Sequence, residues 1–449
     1  MRQLRPPPPL TIRTSISSTG EEGNASSVDG PVSADGRFVA FDSSASNLVS
    51  VDNNGVQDVF LRDLKTGLTQ RVSLGNAGNE GKGGSSVLAL SNNGRFVTFL
   101  SEASNLIAGD TNGVADVFVR DLKKARTQRI FVNSSDEQGY PANYGFSLSA
   151  NGRFVAFSSN AANLVPDDTN GVSDVFVRDL KTGVTRRASV DSAGVEGNNG
   201  SGSYDSRRVL SADGRFVTFT SGASNLVDGD TNGLMDVFVR DLKTGVTERV
   251  SISSSGEEAS ISGYDPSEYC AGAWFSIYSG SPSLSADGRF VAFESDACNL
   301  VEGDTNNGFY SVGYDYPGTD IFIHDRKTGE TKLASIDSSG VQVGLSYDPS
   351  ISRNGRHVAF TSFYGGELNS YYYITTNVVV HDLKTGETRL ASIDPVAGDY
   401  YYFGSQRPRI SDTGRFISFS SDSSNLVPGD NNGGASGYGV YDAFVSRLW

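Results

Sequence analysis

Residues 147–190 read SLSANGRFVAFSSNAANLVPDDTNGVSDVFVRDLKTGVTRRASV, and this stretch decides the fold. Ser147 to Ser149 predict the end of a strand. Ala150, Asn151, Gly152 and Arg153 predict a tight turn, because Asn and Gly tolerate the positive φ that hairpin turns require. Phe154 to Phe157 (FVAF) read as a second strand, apolar on both faces, as expected of a sheet covered on both sides. A polar loop, SNAANLVPDDTNGVSD, follows. Val175 to Asp179 (VFVRD) read as a third strand, Leu180 to Gly183 (LKTG) as a turn, and Val184 to Val190 as a fourth strand. The unit is a four-stranded antiparallel meander with no helical period.

The unit recurs along the chain. Its marker, Gly-Arg-Phe with His once in place of Phe, falls at Gly36, Gly94, Gly152, Gly214, Gly288, Gly355 and Gly414. The spacings are 58, 58, 62, 74, 67 and 59 residues. Seven units of four strands predict an all-β, seven-bladed β-propeller rather than a solenoid, whose repeats are shorter. Thr11 to Ser17 (TIRTSIS) is similar to fourth strands such as Thr331 to Ile336 (TKLASI), whereas the last unit stops at a third strand, Tyr441 to Trp449. The N-terminal strand is therefore expected to complete the last blade and close the ring, removing the open edges that invite aggregation. The domain reading is a Pro-rich arm over residues 1–10, where Pro6 to Pro9 favour polyproline II, and a single propeller over 11–449. Tyr-rich insertions are placed at 262–283, 305–320, 362–377, 398–408 and 433–441.

The stretches SADGRFVAF, NLVPGD or NLVDGD, DVFVRDLKTG and the T-x-R-x-S strand resemble TolB-type propeller repeats, relatives of the WD-type repeats. The resemblance covers nearly the whole chain, from about Thr11 to Trp449. It implies a propeller acting as a binding scaffold or as an accessory domain beside a catalytic one.

Composition narrows the partners. The chain has 449 residues and a formal net charge of −15, which argues against nucleic acid, whose affinity comes largely from Lys and Arg on phosphates. No apolar run reaches the ~20 residues of a membrane helix, so no membrane insertion is expected. The N-terminus lacks an apolar signal-peptide core, which fits either a cytosolic protein or a mature chain or fragment. Cys270 and Cys298 either form one bridge or remain two thiols; they are no disulfide framework.

The most informative chemistry lies between the second and third strands. The loop reads DNNGVQD at Asp52 to Asp58, DTNGVAD at Asp110 to Asp116, DTNGVSD at Asp168 to Asp174 and DTNGLMD at Asp230 to Asp236. The candidate oxygen ligands are Asp52, Asn54 and Asp58; Asp110, Asn112 and Asp116; Asp168, Asn170 and Asp174; and Asp230, Asn232 and Asp236. The fifth unit keeps Asp304, Asn306 and Asp320 around an insertion, and the seventh keeps Asp430, Asn432 and Asp442. The sixth has lost the loop. Hard oxygens on a Gly-sharpened turn are how calcium loops are built, so one calcium per blade in most blades is one expectation. The full D-x-D-x-D-G pattern and a bidentate Glu are missing. The other expectation is an ordinary turn, since Asp and Asn hydrogen-bond turn backbone. Two carboxylates in one short loop would repel each other without a cation, and that favours the metal.

His324 and His381 take the position of Arg62, Arg120, Arg178 and Arg240, and with His357 they are expected at the surface or at strand ends. The Arg-Asp dipeptide before each LKTG turn is expected to be a strand-end charge pair. No G-x-S-x-G, Walker or paired-His motif occurs. Tyrosine is asymmetric: only Tyr140, Tyr144 and Tyr204 of 19 precede residue 264. The rest cluster in insertions, and Tyr310, Tyr314, Tyr316, Tyr371, Tyr372, Tyr373, Tyr400, Tyr401 and Tyr402 are the expected partner-binding residues, since Tyr gives rigid amphipathic contact area. The functional expectation is a non-enzymatic binding or scaffold propeller outside the cell or on its surface. Its partner would be another protein, copies of itself in a self-assembling fibre, or a glycan. The alternatives are a lectin-like propeller, and a polysaccharide hydrolase or lyase with a central-channel site.

Overall fold

The computed structural model describes residues 10–138, 145–202, 209–260, 279–304, 309–311, 314–316, 318–343, 345–368, 371–392, 403–422, 426–427 and 441–448. Every regular element among them is a strand, and no helix is long and apolar enough to cross a membrane. Unit three consists of Ser147–Leu148, Phe154–Ser159, Asp174–Asp179 and Val184–Arg187, hydrogen-bonded in that order and antiparallel throughout. Its fourth strand stops three residues short of the expected end. Beyond Arg187 the chain turns back on itself, and Val190 bridges Glu196. Units one, two, four and five repeat the same four-stranded order.

Units six and seven depart from it. The second and third strands of unit six are twelve residues each, His357–Leu368 and Tyr371–Asp382. A short parallel pairing, Thr375 with Phe403 and Thr376 with Gly404, joins the two units in one sheet. Unit seven takes its fourth strand from the other end of the chain. Leu10–Arg13 pairs antiparallel with Asp442–Arg447, in the register Leu10 to Arg447 and Arg13 to Phe444.

The Gly-Arg-Phe turn holds neighbouring units together. Gly152 has φ 71°, and the Ser149 hydroxyl accepts the Phe154 amide at 2.9 Å. A Cβ on Gly152 would lie 2.3 Å from the Phe96 ring of unit two. The position therefore needs glycine for its backbone angle and for the neighbour's approach. The same contact pairs Gly36 with Phe416, Gly94 with Phe38, Gly214 with Phe154, Gly288 with Phe216 and Gly355 with Phe290; Gly414 meets His357 instead. The core lies between units. Val175, Val177 and Ala188 of unit three pack on Val209, Val217 and Phe219 of unit four, and in unit three Phe157 stacks on Phe176 at 5.7 Å. The first strands, with Leu210 standing in for that of unit four, line one cavity of about 70 Å³. Arg353 and Arg409 lie beside it: Arg353 pairs with Asp412 at 3.0 Å and Arg409 donates to the Leu88 carbonyl at 3.2 Å.

The expected pair within each Arg-Asp dipeptide does not form, because adjacent strand residues point to opposite faces. Asp179 instead receives two N–H groups from Arg153 of the turn, at 2.9 and 2.6 Å. Arg178 is buried, donates to the Val132, Asn133 and Gly183 carbonyls, and ties its blade to the preceding connection.

Candidate functional site: the acidic loops

The T-x-R-x-S strand explains the acidic loops. Alternate strand residues share a face, so Thr69, Arg71 and Ser73 project together. The Thr69 hydroxyl donates to the Ile16 carbonyl at 2.7 Å, and the Ser73 hydroxyl donates to Asp58. Between them Arg71 enters the loop, 2.8 Å from Asp52 and 3.3 Å from Asp58, and it also binds Glu80. Arg129 likewise reaches Asp110 at 3.3 Å and Asp116 at 3.1 Å. Arg187 reaches Asp168 at 3.7 Å and Asp174 at 3.1 Å and binds Glu196. Arg249 lies 3.2 Å from both Asp230 and Asp236 and 2.9 Å from Glu258. In unit seven the borrowed strand supplies the same group: Arg13 lies 2.6 Å from Glu22 and 3.6 Å from Asp442, and the Ser15 hydroxyl donates to Asp442 at 2.6 Å.

In units one to four the carboxylates expected to hold calcium face an arginine side chain. The loops do contain a cation, but it is a guanidinium of the same chain. The Asn residues expected as oxygen ligands turn their nitrogens inward: Asn54 donates to Asp58 at 2.8 Å, Asn170 to Asp174 at 3.0 Å and Asn232 to Asp236 at 3.0 Å, and Asn112 donates to Asp116 at 3.3 Å. Their carbonyl oxygens accept the Val56, Val114, Val172 and Leu234 amides. Calcium takes six to eight oxygens, whereas here each acid pair is met by a guanidinium and an Asn nitrogen. Burial pushes Asp58 up, Asp116 up to about 6 and Asp236 up, and the arginine beside each opposes the shift. The hydroxyl and amide of Thr169 and the charge of Arg187 hold Glu196 down at about 2.

Unit five differs. Leu333 stands at the arginine position, opposite Phe322 as Arg71 stands opposite Phe60. Gln342 replaces the glutamate, and its amide donates to Asp304 at 3.0 Å and to Asp320 at 2.5 Å. Burial, with the charge of Asp304 added, pushes Asp320 up to about 7; burial does the same to Asp296. Asn306, Asp430 and Asn432 lie outside the described residues, as do Tyr400, Tyr401 and Tyr402. Tyr310, Tyr314 and Tyr316 belong to a two-stranded ribbon, Phe309–Ser311 with Tyr314–Tyr316, and Tyr371, Tyr372 and Tyr373 to the long hairpin of unit six.

The arginine was the residue sequence reasoning missed. Its signal was present: Arg stands at this position in units one to four and in the N-terminal strand, Leu in units five and six, and in four cases a Glu follows the Arg by nine residues, at Glu22, Glu80, Glu196 and Glu258. The histidines are buried, not superficial. Nδ1 of His324 meets the Thr331 hydroxyl at 2.9 Å, and Nδ1 of His381 meets that of Thr388 at 2.8 Å. Cys298 is disulfide-bonded; Cys270 lies outside the described residues.

Repeated four-stranded antiparallel sheets packed through such turns define a β-propeller repeat protein. No family model matches the chain, and no curated protein matches it. Among solved structures it is similar to TolB from Acinetobacter baumannii, with 14% identity, 82% of this chain and 66% of that one covered, and a TM-score of 0.38. It is similar to the β-propeller domain of the trilobed protease from Pyrococcus furiosus, with 11% identity, 94% of each chain covered and a TM-score of 0.49. It is also similar to a prolyl endopeptidase, with 11% identity, 95% of this chain and 50% of that one covered, and a TM-score of 0.51. The chain thus spans about half of that peptidase, and at these identities the likeness is one of fold.

Proposed function

We propose that the chain is a closed seven-bladed propeller that works as a non-enzymatic binding scaffold, with its contact face on units five to seven. Closure is supported by the pairing of Leu10–Arg13 with Asp442–Arg447 and by the contact of Gly36 with Phe416, which links the first unit to the last. The observation that carries the function is where the repeat is broken. Units one to four keep one plan, whereas the ribbon at residues 309–316, the long hairpin of unit six and its parallel join to unit seven all fall in one sector. These are also the Tyr-rich segments, and departures from a repeat scaffold are where binding residues concentrate. The partner is a protein, and a second copy of the chain is the first to test. A location outside the cytoplasm is supported by the disulfide of Cys298, since such bonds persist in oxidising compartments. The test is sedimentation velocity across a concentration series, comparing the parent with a variant in which residues 363–376 are replaced by a two-residue turn. Concentration-dependent association that the variant loses supports self-assembly. A monomer at all concentrations in both removes the self-partner, and a parent that associates no differently from the variant removes the hairpin.

Calcium is kept as a second reading for unit five alone, where Leu333 leaves Asp304 and Asp320 without the arginine of the sister units. Thermal unfolding with calcium against chelator, in the parent and in Leu333→Arg, tests it. A calcium-specific rise in the parent that the variant lacks supports the site, and no rise in the parent ends the reading.

A further inference from the structure

Six of the seven units contain the same carboxylate receptor, already filled. The arginine of each Gly-Arg-Phe or Gly-Arg-His turn grips an Asp at the end of the third strand with two N–H groups: Arg37 holds Asp63 at 2.9 and 2.6 Å, and Arg356 holds Asp382 at 2.9 and 2.5 Å. The fork of a guanidinium matches the two oxygens of a carboxylate, which makes this a specific geometry as well as a charge pair. The grip holds each of these Asp groups well below the usual carboxylate range.

In unit seven no described residue supplies that ligand. The ladder residue opposite Phe38 is Asp63, but the residue opposite Phe416 is Arg447. At that ladder position an acid has been exchanged for a cation. Arg415 is exposed and makes no side-chain hydrogen bond or ion pair among the described residues. It opens onto a cleft of about 980 Å³ between units six and seven. The acids lining that cleft are engaged elsewhere: Asp382 by Arg356, Glu387 by Arg389, Asp412 by Arg353, and Asp287 by its own turn through the Arg289 amide.

We propose that Arg415 is a binding site for a carboxylate supplied from outside the chain, which takes the place that Asp63 and its five counterparts occupy in the other units. A carboxylate is favoured over other anions because the scaffold that positions Arg415 is the one that positions six carboxylate-gripping arginines. This site is separate from the Tyr-rich contact face and stands or falls without it.

The test is isothermal titration calorimetry at low ionic strength with three probes: succinate, a blocked tetraglutamate peptide and inorganic phosphate. Succinate or the peptide should bind, and phosphate should bind at least tenfold more weakly. Arg415→Gln should weaken carboxylate binding at least tenfold. Arg447→Asp should weaken it as much, because it rebuilds the internal pair of the other units, and that variant should melt no lower than the parent. Arg126→Gln, an exposed arginine of unit two, should leave it unchanged. Tighter binding of the peptide assigns the carboxylate to a polypeptide, and tighter binding of succinate assigns it to a small acid. No binding of either carboxylate, phosphate binding as tight as succinate, or unaltered binding in Arg447→Asp would overturn the proposal.

Discussion

Replacing Arg187 by Met tests whether an internal guanidinium neutralises the acidic loops. The Arg187 side chain is 8% exposed, and around it Asp174 is 0%, Asp168 2% and Glu196 20% exposed. Methionine keeps a comparable apolar stem and removes the charge. Removing one partner of a buried pair leaves an uncompensated buried charge and costs about 3–5 kcal/mol. Glu196 is partly solvated and adds little to that figure. The expected loss is therefore about 3–5 kcal/mol, read from urea unfolding with an unchanged denaturant slope. The second half of the experiment adds calcium. Oxygens of Asp168, Asp174 and Glu196 lie within 4.8 Å of one another, so without the arginine they can gather around a hard divalent ion. At about 100 times its dissociation constant such an ion restores about 2.7 kcal/mol. The variant should therefore respond to calcium more strongly than the parent. A loss below about 1 kcal/mol, with a calcium response equal to the parent's, refutes the reasoning.

Three further outcomes are expected. Gly152→Ala should cost about 2–4 kcal/mol from left-handed strain plus overpacking on Phe96, whereas Gly171→Ala, at φ 67° with open space around it, should cost only the strain, about 1–2 kcal/mol; equal costs in chemical denaturation would discard the packing argument. Burial lowers the pKa of His324 and of His381, so each contributes stability that is present above the unfolded value of about 6.5 and lost as pH falls below it. Restoring the repeat residue in His324→Arg plus His381→Arg should shrink the drop in melting temperature between pH 7.5 and 5.5, and an unchanged drop would show that other groups cause it. Deleting residues 1–13 removes the strand paired with Asp442–Arg447 together with Arg13; hydrogen exchange should then rise first in residues 416–421 and 442–447, and a uniform rise across all units would contradict the local role of that strand.

The strands and turns were legible in residues 147–190 because hairpin chemistry is local. Asn151 and Gly152 set the turn, short apolar runs such as FVAF set the strands, and the sevenfold recurrence set the architecture. The pairing of Leu10–Arg13 with the last unit was legible for the same reason, since Thr11, Arg13 and Ser15 repeat the pattern of a fourth strand. Partners across the ladder were harder to read. Arg62 and Asp63 are neighbours in sequence but point to opposite faces, so Asp63 is gripped by Arg37, twenty-six residues away, and Arg62 by carbonyls of the preceding connection.

The acidic loops divide along the same line. The sequence by itself placed carboxylates together at Asp52 and Asp58 and at their counterparts, and left open whether a cation or the turn's own hydrogen bonds would answer them. Only the tertiary structure decided which cation, because Arg71 reaches those acids across a strand pair whose register places it opposite Phe60. Local spacing reports which charges share a loop. Which charge answers them depends on which face of the next strand meets that loop, and that is a property of the assembled sheet.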